Sequence, residues 1–87
     1  MAGAHADPED LKRFAKQLRD TRQQVDQLGK GLKRTMASLD WNDAVKRKVD
    51  GDVSAVVKGL ERFGSQLDEH AREVERKASE LRTYLGR

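Results

Sequence analysis

The residues able to do chemistry in this chain are few and poorly placed for it. His5 and His70 stand alone, neither with a second histidine or cysteine at ligand spacing, and there is no cysteine for a thiolate site or a disulfide. Asp50 and Asp52 make an Asp-x-Asp pair of the kind that begins a calcium loop, but the further oxygen ligands and the closing bidentate glutamate are missing. No Ser/His/Asp set, phosphate-cradling glycine loop or pair of buried carboxylates can be assembled. The chain is therefore expected to be no enzyme and to need no metal or cofactor. One charged cluster remains, Lys30, Lys33, Arg34, Lys46, Arg47 and Lys48, which suits a nucleic acid or an anionic lipid surface. Asp40, Asp43, Asp50 and Asp52 share that stretch and no aromatics interleave with it, which favours an ordinary solvated surface.

The elements that carry these residues are easier to read. A chain of 87 residues holds one small domain with a thin core. With 38% charged and 36% hydrophobic residues and a single proline, it is too apolar for a disordered polyelectrolyte and suits long helices with one apolar stripe each. The opening segment has neither a basic start nor an apolar run of signal-peptide length, and no 18-residue apolar stretch follows, so neither a Sec-type signal nor a membrane span is expected. The net charge of +3 is a mild excess, with acids and bases interleaved.

Residues 1–7 show no periodicity and are expected to be a disordered N-terminus. Asp7-Pro8-Glu9-Asp10 then supplies an N-cap, a proline at the first helical position and two acids at the positive end of the helix dipole. Helix 1 is expected over about 8–38. Leu11, Leu18, Val25, Leu32 and Leu39 recur every seventh residue, with Phe14, Thr21, Leu28 and Thr35 between them. The pattern stops at a turn over 39–41, where Asp40 is expected to cap the next helix and Asp43 to sit in its first turn. Helix 2 is expected over about 42–85, with Val49, Val56, Phe63, His70, Lys77 and Tyr84 on one heptad position and Val53, Leu60, Leu67, Val74 and Leu81 on another. Interior glycines at 29, 31, 51, 59 and 64 permit close helix approach or mark bends; Asp50-Gly51-Asp52 is the natural break if helix 2 is not continuous.

The implied fold is all-α, an antiparallel two-helix hairpin. Folding at 40–41 pairs Leu32 with Val49, Leu28 with Val53, Val25 with Val56, Leu18 with Phe63 and Phe14 with Leu67, and a connection this short admits only antiparallel neighbours. The expected hairpin core is thus Leu11, Phe14, Leu18, Val25, Leu28, Leu32, Val49, Val53, Val56, Leu60, Phe63 and Leu67. In that register Val74, Ala78, Leu81, Tyr84 and Leu85 overhang the start of helix 1 and form an interface. Two hairpins, as homodimer or heterodimer, would then pack into a four-helix bundle. Acid-before-base pairs at i,i+4, namely Glu9/Arg13, Asp26/Lys30, Asp43/Arg47, Asp68/Arg72 and Glu73/Lys77, are expected on exposed faces at ~0.2–0.5 kcal/mol each. Trp41 is expected to plug the end of the seam against Leu39 and Val45, burying ~150–250 Å².

A single tryptophan at the turn between two helices, in a chain of about ninety residues, resembles the Trp-x-Gly (WXG, ESAT-type) small proteins exported by bacterial type VII secretion systems. The resemblance runs from about Leu11 to Leu85, with Trp41 at the turn, Ala44 as the small residue after it, Val49 eight positions on, and Leu81 and Tyr84 near the end. Two features depart from the pattern. The turn motif is Trp41-Asn42-Asp43, with aspartate where glycine is expected, and Tyr84 is followed only by Leu85-Gly86-Arg87, without the acidic residue of the Tyr-x-x-x-Asp/Glu export signal. The resemblance implies a small substrate or targeting partner of a type VII-like system, secreted without a Sec signal or cytoplasmic before export. Such a protein acts by packing against another helical hairpin or a toxin's helical targeting domain. Two readings outside that family stay open: a cytosolic coiled-coil adaptor, and a hairpin whose basic turn end meets nucleic acid or a membrane surface.

Overall fold

The computed structural model describes residues 6–86. Two helices, α1 (Pro8–Ser38) and α2 (Ala44–Tyr84), lie antiparallel in a rod of 64 × 19 × 14 Å. The all-α hairpin is therefore as expected; the disorder expected for residues 1–7 lies, for 1–5, outside the described residues.

Asp7 caps α1, its carboxylate accepting from the Glu9 amide at 2.9 Å, with Pro8 at the first helical position and Glu9 and Asp10 in the first turn. The connection is longer than a tight turn, running over 39–43. Asp43, not Asp40, is the N-cap of α2: it has an extended backbone and accepts from the Lys46 amide at 2.9 Å. α2 then runs unbroken through Asp50-Gly51-Asp52. Neither helix is long and apolar enough to cross a membrane.

The register differs from the expected one, and the difference relocates the core. A side chain at Gly29 would meet Val57 at 3.5 Å, and one at Gly64 would meet Arg22 at 3.0 Å. Facing positions therefore number about 86 in sum rather than 81, a shift of some five residues that the longer connection makes possible. Carried along both helices, this register aligns Pro8 with Ala78, Ala15 with Ala71, Arg22 with Gly64 and Gly29 with Val57. Ala15 and Ala71 are both 0% exposed and Ala78 is 2% exposed. The helices thus meet along two heptad series of mostly small residues, which let the backbones approach closely.

The large residues expected at the centre lie beside this seam instead. Val25 and Leu67 are buried, while Leu11, Leu18, Val49, Val53 and Leu60 are half-buried. Phe14, Leu28, Leu32, Val56 and Phe63 are exposed, Leu28 at 64%. A pair of helices touching through small residues leaves the neighbouring heptad positions pointing past one another. Leu39, Trp41 and Val45 are also exposed, so Trp41 does not seal the end of the seam.

Glycines separate into two physical classes. Gly51 has open space around it, so Gly51→Ala is expected to raise stability by roughly 0.5–1 kcal/mol through helix propensity alone. At Gly64 an added methyl would displace the Arg22 side chain, which crosses that point to reach Asp68. Thermal unfolding should therefore find Gly64→Ala less stable than Gly51→Ala by ~1 kcal/mol or more.

Candidate helix-packing interface

From the seam the rest of the surface follows by counting. Three residues after each seam position stand Leu11, Leu18, Val25 and Leu32 on α1, and Leu60, Leu67, Val74 and Leu81 on α2. One residue before stand Phe14, Thr21 and Leu28, and Val56, Phe63 and His70. In an antiparallel pair the same offset on both helices turns to the same side of the seam, because reversing a helix reverses the sense in which its side chains circulate. The two sets therefore combine into one broad apolar face.

Four residues after each seam position the chemistry inverts. α1 places Lys12, Arg19, Asp26 and Lys33 there, mostly basic; α2 places Glu61, Asp68, Glu75 and Arg82, mostly acidic. These offsets turn to the opposite side, where the helices are joined by ion pairs. Arg19 grips Glu75 through two hydrogen bonds of 2.6 and 3.0 Å, Arg22 joins Asp68 while its Nε lies 3.0 Å from Asp26, and Arg82 joins Glu9. The bidentate contact favours both charged forms: hydrogen bonding to Arg19 holds Glu75 below its ordinary range, and Arg19 itself is raised.

Other partners replace several of the expected i,i+4 pairs. Among the described residues, Glu9 joins Arg82 across the seam rather than Arg13, Asp68 joins Arg22 across it rather than Arg72, and Asp26 lies in ion-pair range of Arg22 on its own helix rather than of Lys30. Glu73 lies against His70 and Asp43 is engaged as a cap, leaving Lys77 and Arg47 without the partners proposed for them.

The expected interface at the open end is corrected by the same register. Ala78 and Leu81 are covered within the hairpin itself, Leu81 being 7% exposed, because Pro8 and the first turn of α1 reach that level. Val74 is half-buried on the apolar face, and only Tyr84 and Leu85 remain exposed at the end. The uncovered apolar surface runs instead from Phe14 through Phe63, Leu28, Val56 and Leu32 to the connector. Sequence reasoning found these residues but assigned them inward. The missed signal was the third heptad series, 8/15/22/29 with 57/64/71/78, whose small residues were passed over in favour of larger ones.

The turn motif has a local explanation. The Asp43 carboxylate accepts from the Lys46 amide at 2.9 Å and is held below its ordinary range by that bond first and by the Trp41 indole second. Glycine is itself a good N-cap, so aspartate at this position keeps the role that a glycine would fill. Asp43→Gly should therefore melt close to the parent protein, while Asp43→Ala should melt several degrees lower by circular dichroism.

Both lowered carboxyls give the hairpin an acid limit. A group whose folded pKa lies below its unfolded value stabilises the fold above the unfolded value and ceases to do so as pH falls through the folded one. The contributions of Glu75 and Asp43 are thus complete above their ordinary values of 4.5 and 3.8 and fade as pH falls below them. Urea unfolding at pH 6 and pH 3 should show a lower midpoint in acid, with a smaller drop for Glu75→Gln. No family model, curated protein or solved structure matches this chain.

Proposed function

We propose that this chain is a helix-packing module whose apolar face, centred on Phe14, Leu28, Leu32, Val56 and Phe63, docks on a second helical hairpin to complete a four-helix bundle. The observation that carries this reading is the separation of the two sides: large apolar residues on one, cross-helix ion pairs on the other. Exposure supports it: the five named side chains are 44–64% exposed, an uncovered apolar face of the kind that marks an interaction site. The second hairpin is its own copy when the protein is alone, and another hairpin where one binds better. Sedimentation velocity of the purified chain should give twice 9.9 kDa at micromolar concentration. A monomer at all concentrations that also fails to bind a hydrophobic dye would overturn the reading.

The finer proposal rests on Trp41 in the connector between the helices. In this reading the bundle is the form in which the chain serves a type VII-like secretion system, as substrate or as targeting partner of a larger protein. Expression in a bacterium with and without the system's ATPase tests this: the chain should reach the medium only with the ATPase. Equal amounts in both media would reject it.

A further inference from the structure

We propose that the connector end of the hairpin is a docking tip for an anionic lipid bilayer, with Leu39, Trp41 and Val45 entering the interfacial layer and the surrounding cations meeting the headgroups. This goes beyond helix packing and does not depend on it. Leu39, Trp41 and Val45 are all exposed, and they occupy the connector and the first turn of α2, where a rod 64 Å long presents its end rather than its side. Around them stand Lys33, Arg34, Arg47 and Lys48, all exposed, with Lys30 one turn further back on α1. Four acids share the stretch, but two are occupied: Asp43 caps α2, and Asp50 pairs with Lys46 at 2.9 Å. All four keep their charge, so the six cations Lys30, Lys33, Arg34, Lys46, Arg47 and Lys48 leave this end with a net charge of +2.

The combination identifies the occupant. An apolar tip with an indole beside it suits the boundary between headgroups and acyl chains, where tryptophan is enriched, and each nearby Lys or Arg strengthens attachment to an anionic surface. A duplex nucleic acid would use the cations and leave Leu39, Trp41 and Val45 without a role.

Trp41 is the only tryptophan, so its fluorescence reports the tip directly. The full chain is mixed with vesicles of phosphatidylglycerol and phosphatidylcholine, and separately with phosphatidylcholine alone, at low salt. Expected are a blue shift and protection from an aqueous quencher on the anionic vesicles, with binding roughly tenfold or more tighter than on neutral ones. The shift should vanish near ~0.5 M salt, as screening requires. Arg47→Glu with Lys48→Glu should abolish binding, and Leu39→Ser with Val45→Ser should remove the blue shift while Trp41 stays in place. Helicity by circular dichroism confirms that each variant is folded, and any variant that is not is replaced by Arg34→Glu. No shift on either vesicle, or an equal shift on both, overturns the proposal. So does tight binding of a labelled DNA duplex by a chain that ignores anionic vesicles. Because these readouts need no bundle, their failure leaves the sedimentation result standing, and the converse also holds.

Discussion

Replacing Phe14 and Phe63 together with glutamate is expected to convert the assembled protein into a folded monomer, weakening association at least a hundredfold. Both residues sit on the apolar face, Phe14 at 48% and Phe63 at 47% exposure, so each leaves about half of its surface open to a partner. In the bundle each would be covered, and a carboxylate there would be stripped of water without a partner, at ~3 kcal/mol or more per buried charge. A two-chain assembly carries every substitution twice, which makes a hundredfold loss a modest expectation. Helicity of the monomer should persist at low temperature, because the seam and the cross-helix pairs at Arg19–Glu75 and Arg22–Asp68 are untouched. Sedimentation and circular dichroism together decide the matter. If the double variant keeps the parental mass, association does not use this face; if it unfolds outright, Phe14 and Phe63 belong to the hairpin's own core after all.

The hairpin itself was legible in the sequence because its signals are local. The Asp7-Pro8 start and the break in periodicity after Leu39 come from capping chemistry and heptad spacing, and both helices appear where those signals put them. The register was not legible to the same reasoning. Heptad spacing leaves several equivalent alignments, and the choice among them rested on a turn at 40–41 that proved to be a connector of five residues, 39–43. An error of that size moves the facing positions by more than a helical turn. It also exchanges the residues credited with the core: Leu28 and Phe63 go outward, Ala15 and Ala71 inward. Large apolar side chains attract attention because each buries the most area, yet a two-helix layer has no enclosed interior to hold them. Charge was the better guide. The basic residues Arg19 and Arg22 on α1 and the acidic residues Asp68 and Glu75 on α2 meet across the seam in the observed register.

The small-residue seam makes the sharpest stability prediction, because it reverses the usual sign of adding apolar volume. Ala15 and Ala71 share a level, and neither has any exposed surface. Ala71→Leu adds a bulky side chain where the helices are closest, which must either push α1 and α2 apart or force strained rotamers, at ~1–3 kcal/mol. Adding Ala15→Leu at the same level should compound the cost beyond the sum, since both new side chains compete for one space. A chain of this length has only about 4–13 kcal/mol to lose. The double variant is therefore expected to be largely unfolded at room temperature. By contrast, Phe63→Ala should cost the isolated hairpin under ~1 kcal/mol, although a Phe63 packed in the core would cost ~3–5 kcal/mol when truncated. The comparison is best made in a Phe14→Glu background at a concentration where sedimentation shows a monomer, so that loss of the bundle does not enter the measured unfolding free energies. If Ala71→Leu stabilises the monomer and Phe63→Ala unfolds it, the large-residue stripes are the true seam and the face assigned to the partner is its interior. The opposite pattern, a severe alanine-to-leucine penalty beside a mild phenylalanine truncation, is what two helices meeting through Ala15 and Ala71 require.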